Sequence, residues 1–332
     1  MEGMMQGPVP NRRALLRGAA LLAAGGSLGL AALRNAAAQT SDAGQAGAVR
    51  YSAGTEKPRS AAPANATDCH HHIYNSAYKA AANAVLLPPN ASVDDYRALQ
   101  RRIGTTRNVI VHPSTYGTDN SITLDALAAM GANTRAVAVV DTSVTDAELQ
   151  RLHALGVRGI RFNLAQKGAT TIDMVIPLSE RVHELGWHCQ VNMNGPDIVA
   201  AQDVFLRVRG TLVFDHLAHV PEPAGLDSPT YALIRTLLDK GNTWIKLSGA
   251  YADSKLGPPA YADSTVIAKA YVAQAPSRMV WGSDWPHPTE ALGKKPDDAV
   301  LFDLLTTWAP DEPVRHQILV ENPAVLYDFP KG

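Results

Sequence analysis

From about residue 66 the chain alternates short, nearly continuous apolar runs with longer stretches whose apolar residues recur at helical spacing. The runs fall at Ala66–Tyr74, Asn108–His112, Arg135–Val140, Val157–Asn163, Trp187–Met193, Thr211–Asp215, Thr243–Ser248 and Arg278–Ser283. A run that is apolar on both faces belongs to a parallel sheet covered on both sides. Eight such runs, separated by helical patterns, predict an α/β fold, a single (β/α)8 TIM-like barrel over residues 66–330. One intervening helix declares both ends. Thr145-Asp146-Ala147-Glu148 reads as a capping box, Leu149, Leu152 and Leu155 as its apolar face, and Gly156 as its stop. Another pattern runs from about Ile172 to Leu185 and ends before Gly186. No glycine-rich dinucleotide fingerprint follows the first run, which counts against an open doubly wound sheet.

The N-terminal region reads differently. Asn11-Arg12-Arg13-Ala14-Leu15-Leu16-Arg17 has the form of a twin-arginine export signal, and Ala36-Ala37-Ala38 offers a cleavage site after an Ala/Leu/Gly-rich stretch. Residues 1–38 are therefore expected to be a signal peptide carried by the twin-arginine translocase. The mature protein is expected in the periplasm, with no stable membrane anchor. Residues 39–65 are rich in Ala, Gly, Ser and Pro, lack an apolar period, and are expected to form a flexible leader. A formal net charge of −1 offers no nucleic-acid or lipid surface. The two cysteines, Cys69 and Cys189, fall on separate strands far apart in chain order, so no disulfide is expected.

Candidate chemistry collects at the ends of the apolar runs. In Thr67-Asp68-Cys69-His70-His71-His72, strand alternation puts Asp68, His70 and His72 on one face and Cys69 and His71 on the other. Two imidazoles so placed reach one metal ion or one substrate oxygen. His112 and Ser114 follow the second run, Arg161 and Asn163 close the fourth, and Asn192 and Asn194 the fifth. Asp215 and His216 close the sixth, Ser248 and Tyr251 follow the seventh, and Asp284 and His287 the eighth. A barrel builds its active site at the carboxyl ends of its strands, which gives all these residues one address.

Asp68-x-His70-x-His72, Asp215-His216, Lys246-Leu247-Ser248-Gly249-Ala250-Tyr251 and Trp281-Gly282-Ser283-Asp284-Trp285-Pro286-His287 together resemble the amidohydrolase superfamily, in its lactone-acting branch. The resemblance covers essentially the whole barrel. It implies a hydrolase that opens a small, anionic, muconolactone- or pyrone-like lactone, as in aromatic-compound catabolism. Asp284 would be the general base, with His70, His72 and His216 around the scissile carbonyl. Arg161 and Lys167 would hold acid groups of the substrate, with Ser114, Asn163, Tyr251 and His287 as further contacts.

Two departures from the branch's pattern matter. Tyr251 is followed by Ala252 and Asp253, where many relatives carry an arginine. The fifth run ends at Asn192-Met193-Asn194 without the histidine of metal-rich members, which speaks against a binuclear centre. One Zn2+ per chain on His70, His72, Asp284 and His216 stays open, as does a metal-free site with the histidines as direct donors. A lactone isomerase of the galactarolactone type, a metal-dependent decarboxylase and a periplasmic binder without turnover are the competing functions.

Overall fold

Each apolar run becomes a buried strand paired in parallel with the next. The computed structural model describes residues 47–166 and 168–330. β1 (Thr67–His71), β2 (Arg107–Val111), β3 (Thr134–Ala138), β4 (Val157–Asn163), β5 (His188–Asn192), β6 (Thr211–Phe214), β7 (Thr243–Leu247) and β8 (Met279–Trp281) form one sheet in chain order. Its edges meet just beyond β8, where the Asp284 amide donates to the His70 carbonyl and the His72 amide to the Trp285 carbonyl, both at 2.8 Å. The result is the near-closed TIM-like barrel that the sequence predicts.

Helices cover the outside: α1 (Val93–Ile103), α2 (Ser121–Met130), α3 (Asp146–Leu155), α4 (Val175–His183), the short α5 (Gly195–Ala200) and α6 (Gln202–Arg207), α7 (Pro229–Asp239), α8 (Ala262–Gln274) and α9 (Asp298–Trp308). α3 begins and ends where its signals stand. Thr145 Oγ1 accepts from the Glu148 amide at 3.1 Å, and Gly156 ends the helix at φ 105°. Only half of the expected box forms there, because the Glu148 carboxylate turns to Arg151. A complete box opens α1, where the Ser92 and Asp95 side chains each accept from the other's backbone amide.

The structure differs from the sequence reading in two places. From Val49 onward the expected flexible leader belongs to the barrel's compact unit. Arg102 of α1 donates to Ser52 Oγ at 3.1 Å, Ala53 O at 3.0 Å and Glu56 O at 2.8 Å. Asp303 of α9 accepts from the amides of Arg59 and Ser60, both at 3.0 Å, and Trp285 Nε1 donates to Arg50 O at 2.8 Å. Side chains distant in sequence thus tie down a segment that has no pattern of its own. It becomes a strap joining the helix after the first strand to the helix after the last.

The second difference lies in β1. A register irregularity between Asp68 and His71 breaks the simple alternation. Asp68 leaves the face of His70 and His72: its carboxylate accepts from the Ser283 amide at 2.9 Å, Ser283 Oγ at 2.6 Å and Tyr96 OH at 3.0 Å. His71 stacks on the same Tyr96, ring centroids 3.5 Å apart.

At the amino ends of the strands the C-terminal segment closes the barrel floor. Arg107, Arg135 and Arg158 hold Pro330 O, Asp328 O and the Asp328 carboxylate. Tyr327 and Phe329 then cluster with Cys69, Val109, Val137 and Val213. Cys69 and Cys189 are free and buried. No helix among the described residues is long and apolar enough to cross a membrane. The expected signal peptide, the first part of the expected leader and Lys167 lie outside the described residues.

Candidate active site

Four side chains meet above the carboxyl ends of the strands. His70 ends the inward run of β1, His72 follows it, His216 lies just past β6, and Asp284 just past β8. The two Nε2 atoms of His70 and His72 are 3.2 Å apart. Asp284 Oδ1 stands 3.4 Å from each and 3.8 Å from His216 Nε2. All four residues are buried. Two glycines of the quoted motifs make this approach possible. A Cβ on Gly282 would lie 2.6 Å from His70 Cβ, and one on Gly249, at φ +60°, would lie 2.7 Å from His216 Nδ1.

The turn after β6 that carries His216 is left-handed throughout. His216, Leu217, Ala218 and His219 have φ of 50°, 54°, 58° and 45°. Such residues cost roughly 1–2 kcal/mol each, so the surroundings must hold them. Burial of Leu217 and Ala218 does part of this, and the Ala218 amide donates to Asp215 O at 2.9 Å. Ser248 Oγ, 3.0 Å from Nδ1, fixes the His216 ring. His219 ends the turn between Asp253 Oδ2 at 2.8 Å and Asn192 Oδ1 at 2.9 Å.

Beneath the histidines lies a buried charged layer. Asp215 Oδ2 accepts from Arg161 Nε at 3.2 Å and from Gln190 Nε2 at 3.0 Å. Its Oδ1 lies 3.3 Å from His70 Nδ1 and 3.5 Å from Lys246 Nζ. Burial would push the Asp215 carboxyl up, but His70, Lys246 and Arg161 together hold it well below its ordinary range. Arg161, expected as a substrate cation, is therefore half committed. Among the described residues its two terminal amino groups have no protein partner.

Burial keeps His70 well below the ordinary imidazole range and brings His216 down to about 4, so both are neutral at neutral pH. Burial acts on Asp284 in the opposite sense, yet its imidazole neighbours, led by His216, whose Nε2 faces Oδ1, hold the carboxyl well below its ordinary range. Tyr251 OH donates to Asp284 Oδ2 at 2.6 Å. His287, expected as a substrate contact, sits behind Tyr251 and is fully buried: its Nδ1 is 3.0 Å from Tyr251 OH and its Nε2 3.2 Å from Asp298 Oδ2. Ser114 and Asn163, expected as substrate contacts, meet each other, Asn163 Nδ2 donating to Ser114 Oγ at 2.5 Å. They line a cleft with Leu86, Val139, Gln166 and Thr170; none of the four clustered residues borders it.

Lys246, Gln190 and His219 take part without having been assigned roles from the sequence. Lys246 and Gln190 did leave a signal, since each stands between apolar neighbours within a strand, in Trp244-Ile245-Lys246-Leu247 and Cys189-Gln190-Val191.

A parallel barrel with three imidazoles and an ionised carboxylate converging at the carboxyl ends of its strands defines a barrel hydrolase site, built for attack on a carbonyl group. The chain belongs to the amidohydrolase family, whose model matches residues 67–329. It is 34% identical over 282 residues to a D-galactarolactone isomerase of Agrobacterium fabrum, covering 84% of this chain and 96% of that one. It is 34% identical over 293 residues to a 2-pyrone-4,6-dicarboxylate hydrolase of Comamonas testosteroni, covering 85% and 96%. A 4-sulfomuconolactone hydrolase of Rhizobium radiobacter is 35% identical over 275 residues, covering 80% and 91%. An apo crystal structure of an Agrobacterium tumefaciens protein superposes with a TM-score of 0.79 at 33% identity, covering 85% of this chain and all of that one.

Proposed function

We propose that this protein hydrolyses a small lactone, with Asp284 removing a proton from the attacking water. The observation that carries the reading is the Asp284 carboxylate, ionised and facing three imidazoles at 3.4–3.8 Å. As the water oxygen bonds to the carbonyl carbon, its proton passes to Asp284. The ring C–O bond then breaks, and the leaving oxygen recovers that proton. His216 gives a hydrogen bond from Nε2 to the carbonyl oxygen as charge develops there, while Ser248 holds Nδ1. The amino groups of Arg161, without a protein partner among the described residues, suit an anionic ring substituent, with Ser114 and Asn163 for its hydroxyl or carbonyl groups.

The donor set also fits a metal. His70 Nε2, His72 Nε2 and Asp284 Oδ1 are 3.2–3.4 Å apart, matching the roughly 3.3–3.4 Å edge of a tetrahedron whose ligands lie about 2.0–2.1 Å from its centre. A single Zn2+ would be held by these three residues, with His216 on the open side, and would supply Lewis-acid polarisation of the carbonyl.

Asp284→Asn keeps the shape and removes the base. Lactone opening should fall by at least about a hundredfold with an unchanged circular dichroism spectrum, and near wild-type turnover would overturn the mechanism. A pH-stat assay on 4-sulfomuconolactone, 2-pyrone-4,6-dicarboxylate and a galactarolactone separates hydrolysis from the isomerase reading, which the A. fabrum relative supports. Hydrolysis releases one acid per turnover and isomerisation releases none. We further propose that the arginine pair Arg12-Arg13 directs export to the periplasm. Retention of an Arg12→Lys/Arg13→Lys variant in the cytoplasm is the expected outcome, and unchanged fractionation would refute it.

A further inference from the structure

We infer that Lys246 sets the tautomer of His70, and through it whether the histidine cluster is complete by itself or demands a metal ion. Lys246 lies in the middle of β7 with no solvent exposure, and no step of the proposed reaction uses it. A lysine side chain at this position offers only donors. It donates to Gln190 Oε1 at 2.7 Å and to His70 Nδ1 at 3.3 Å. A ring nitrogen that accepts carries no proton, so the single proton of neutral His70 lies on Nε2.

From there it faces His72 Nε2 at 3.2 Å. His72 Nδ1 faces the Val111 carbonyl at 2.7 Å and must donate to it, which leaves His72 Nε2 as the nitrogen placed to accept from His70. Donors and acceptors therefore run one way, from Lys246 through His70 and His72 to Val111. Both ends are fixed by chemistry: an ammonium that only donates and a carbonyl that only accepts.

The opposite arrangement is built into the same cluster. Asp215 Oδ1 lies 3.3 Å from His70 Nδ1 and completes no hydrogen bond of its own. With the His70 proton on Nδ1 and given to Asp215, the bare Nε2 atoms of His70 and His72 would confront each other at 3.2 Å, with the Asp284 carboxylate 3.4 Å from both. Lone pairs gathered that closely need a cation among them. Carboxylate-backed imidazoles are also how metal-ligating histidines are commonly oriented. No group changes charge between the two arrangements; one proton changes its nitrogen. Lys246 and Asp215 stand equally close to His70 Nδ1, each at 3.3 Å, and compete for it; the hydrogen-bond geometry favours Lys246, since Asp215 Oδ1 completes no hydrogen bond among the described residues.

The inference rests on the lactone reading only for its catalytic consequence, since tautomer and metal affinity are measured without a substrate. The first test is nitrogen NMR on the full chain labelled with 15N-histidine and stripped by a chelator, with His70→Gln to assign the ring. A protonated Nε2 and bare Nδ1 on His70 are expected, and a protonated Nδ1 would overturn the inference. The second is zinc affinity by competition with a chromophoric chelator. Lys246→Met removes the competing donor, so the folded variant should bind zinc at least about tenfold more tightly. Equal or weaker affinity would overturn the inference. Should that variant not fold, the NMR result on the unaltered protein decides alone. A correct tautomer without turnover on any lactone would count against the proposed function and leave this inference standing.

Discussion

Asp284 has its two oxygens divided between different tasks. Oδ1 faces the imidazoles, while Oδ2 takes the 2.6 Å hydrogen bond from Tyr251. A hydrogen bond to an ionised group contributes about 1.5–3 kcal/mol. Tyr251→Phe should therefore lower kcat/KM on a turned-over lactone by about 10- to 100-fold, through loss of the fixed carboxylate orientation. An unchanged value would make Tyr251 mere packing. At this scale the sequence was informative wherever a polar residue stood at a strand end, which is how His70, His72, His216 and Asp284 were found. It was less so where a role depends on depth. His287 belongs to the same motif as Asp284, yet it lies behind Tyr251 and acts through it. Asp68 left its expected face because one irregularity in β1 resets the alternation.

Among the elements, α3 and the strap respond to different forces. The Thr145 cap satisfies one amide of α3, so Thr145→Ala should cost about 1 kcal/mol, seen as a lower urea midpoint at constant m-value. An unmoved midpoint would show the cap to be redundant with packing. The strap depends on Asp303. Burial alone would raise its carboxyl, but the amides and side chains of Arg59 and Ser60 hold it below the ordinary aspartate value of 3.8. Since the folded value is depressed, this contribution to stability is present above about pH 4 and lost as pH falls through the lower folded value. Asp303→Ala should release the segment around residues 53–60 at neutral pH, read as faster amide exchange there than in α1. Protection equal to the parent's would refute that role. Neither the strap nor the left-handed turn at 216–219 was legible in the sequence. The first has no period, and the second uses no glycine to announce its positive φ.

Across the whole molecule the barrel was legible because its strands are buried on both faces and so read as eight separate apolar runs. Their closure was legible only from their number, since the pairing of β1 with residues beyond β8, as in the parallel bridge between His71 and Trp285, joins opposite ends of the barrel sequence. The same thorough burial carries a prediction. It lowers His71, His112 and His188 to about 3 and His216 to about 4. These folded values lie below the unfolded value of 6.5, so only the unfolded chain takes up the protons as pH drops below it. Stability should fall as pH decreases from about 6.5 towards 4, each histidine contributing up to about 1.4 kcal/mol per pH unit. Urea unfolding at about pH 7 and pH 5 measures this, and equal free energies would show that some of these rings are charged in the fold.

The strap also bears on where this gene can be trimmed. A cut placed before Ala66, where the repeating strand–helix pattern begins, would leave Arg102 only its ion pair with Asp297 and would strip the Arg59 and Ser60 partners from Asp303 and the Arg50 carbonyl from the Trp285 indole beside the barrel's seam. A shortened protein that keeps its catalytic body intact has to begin at or before Val49.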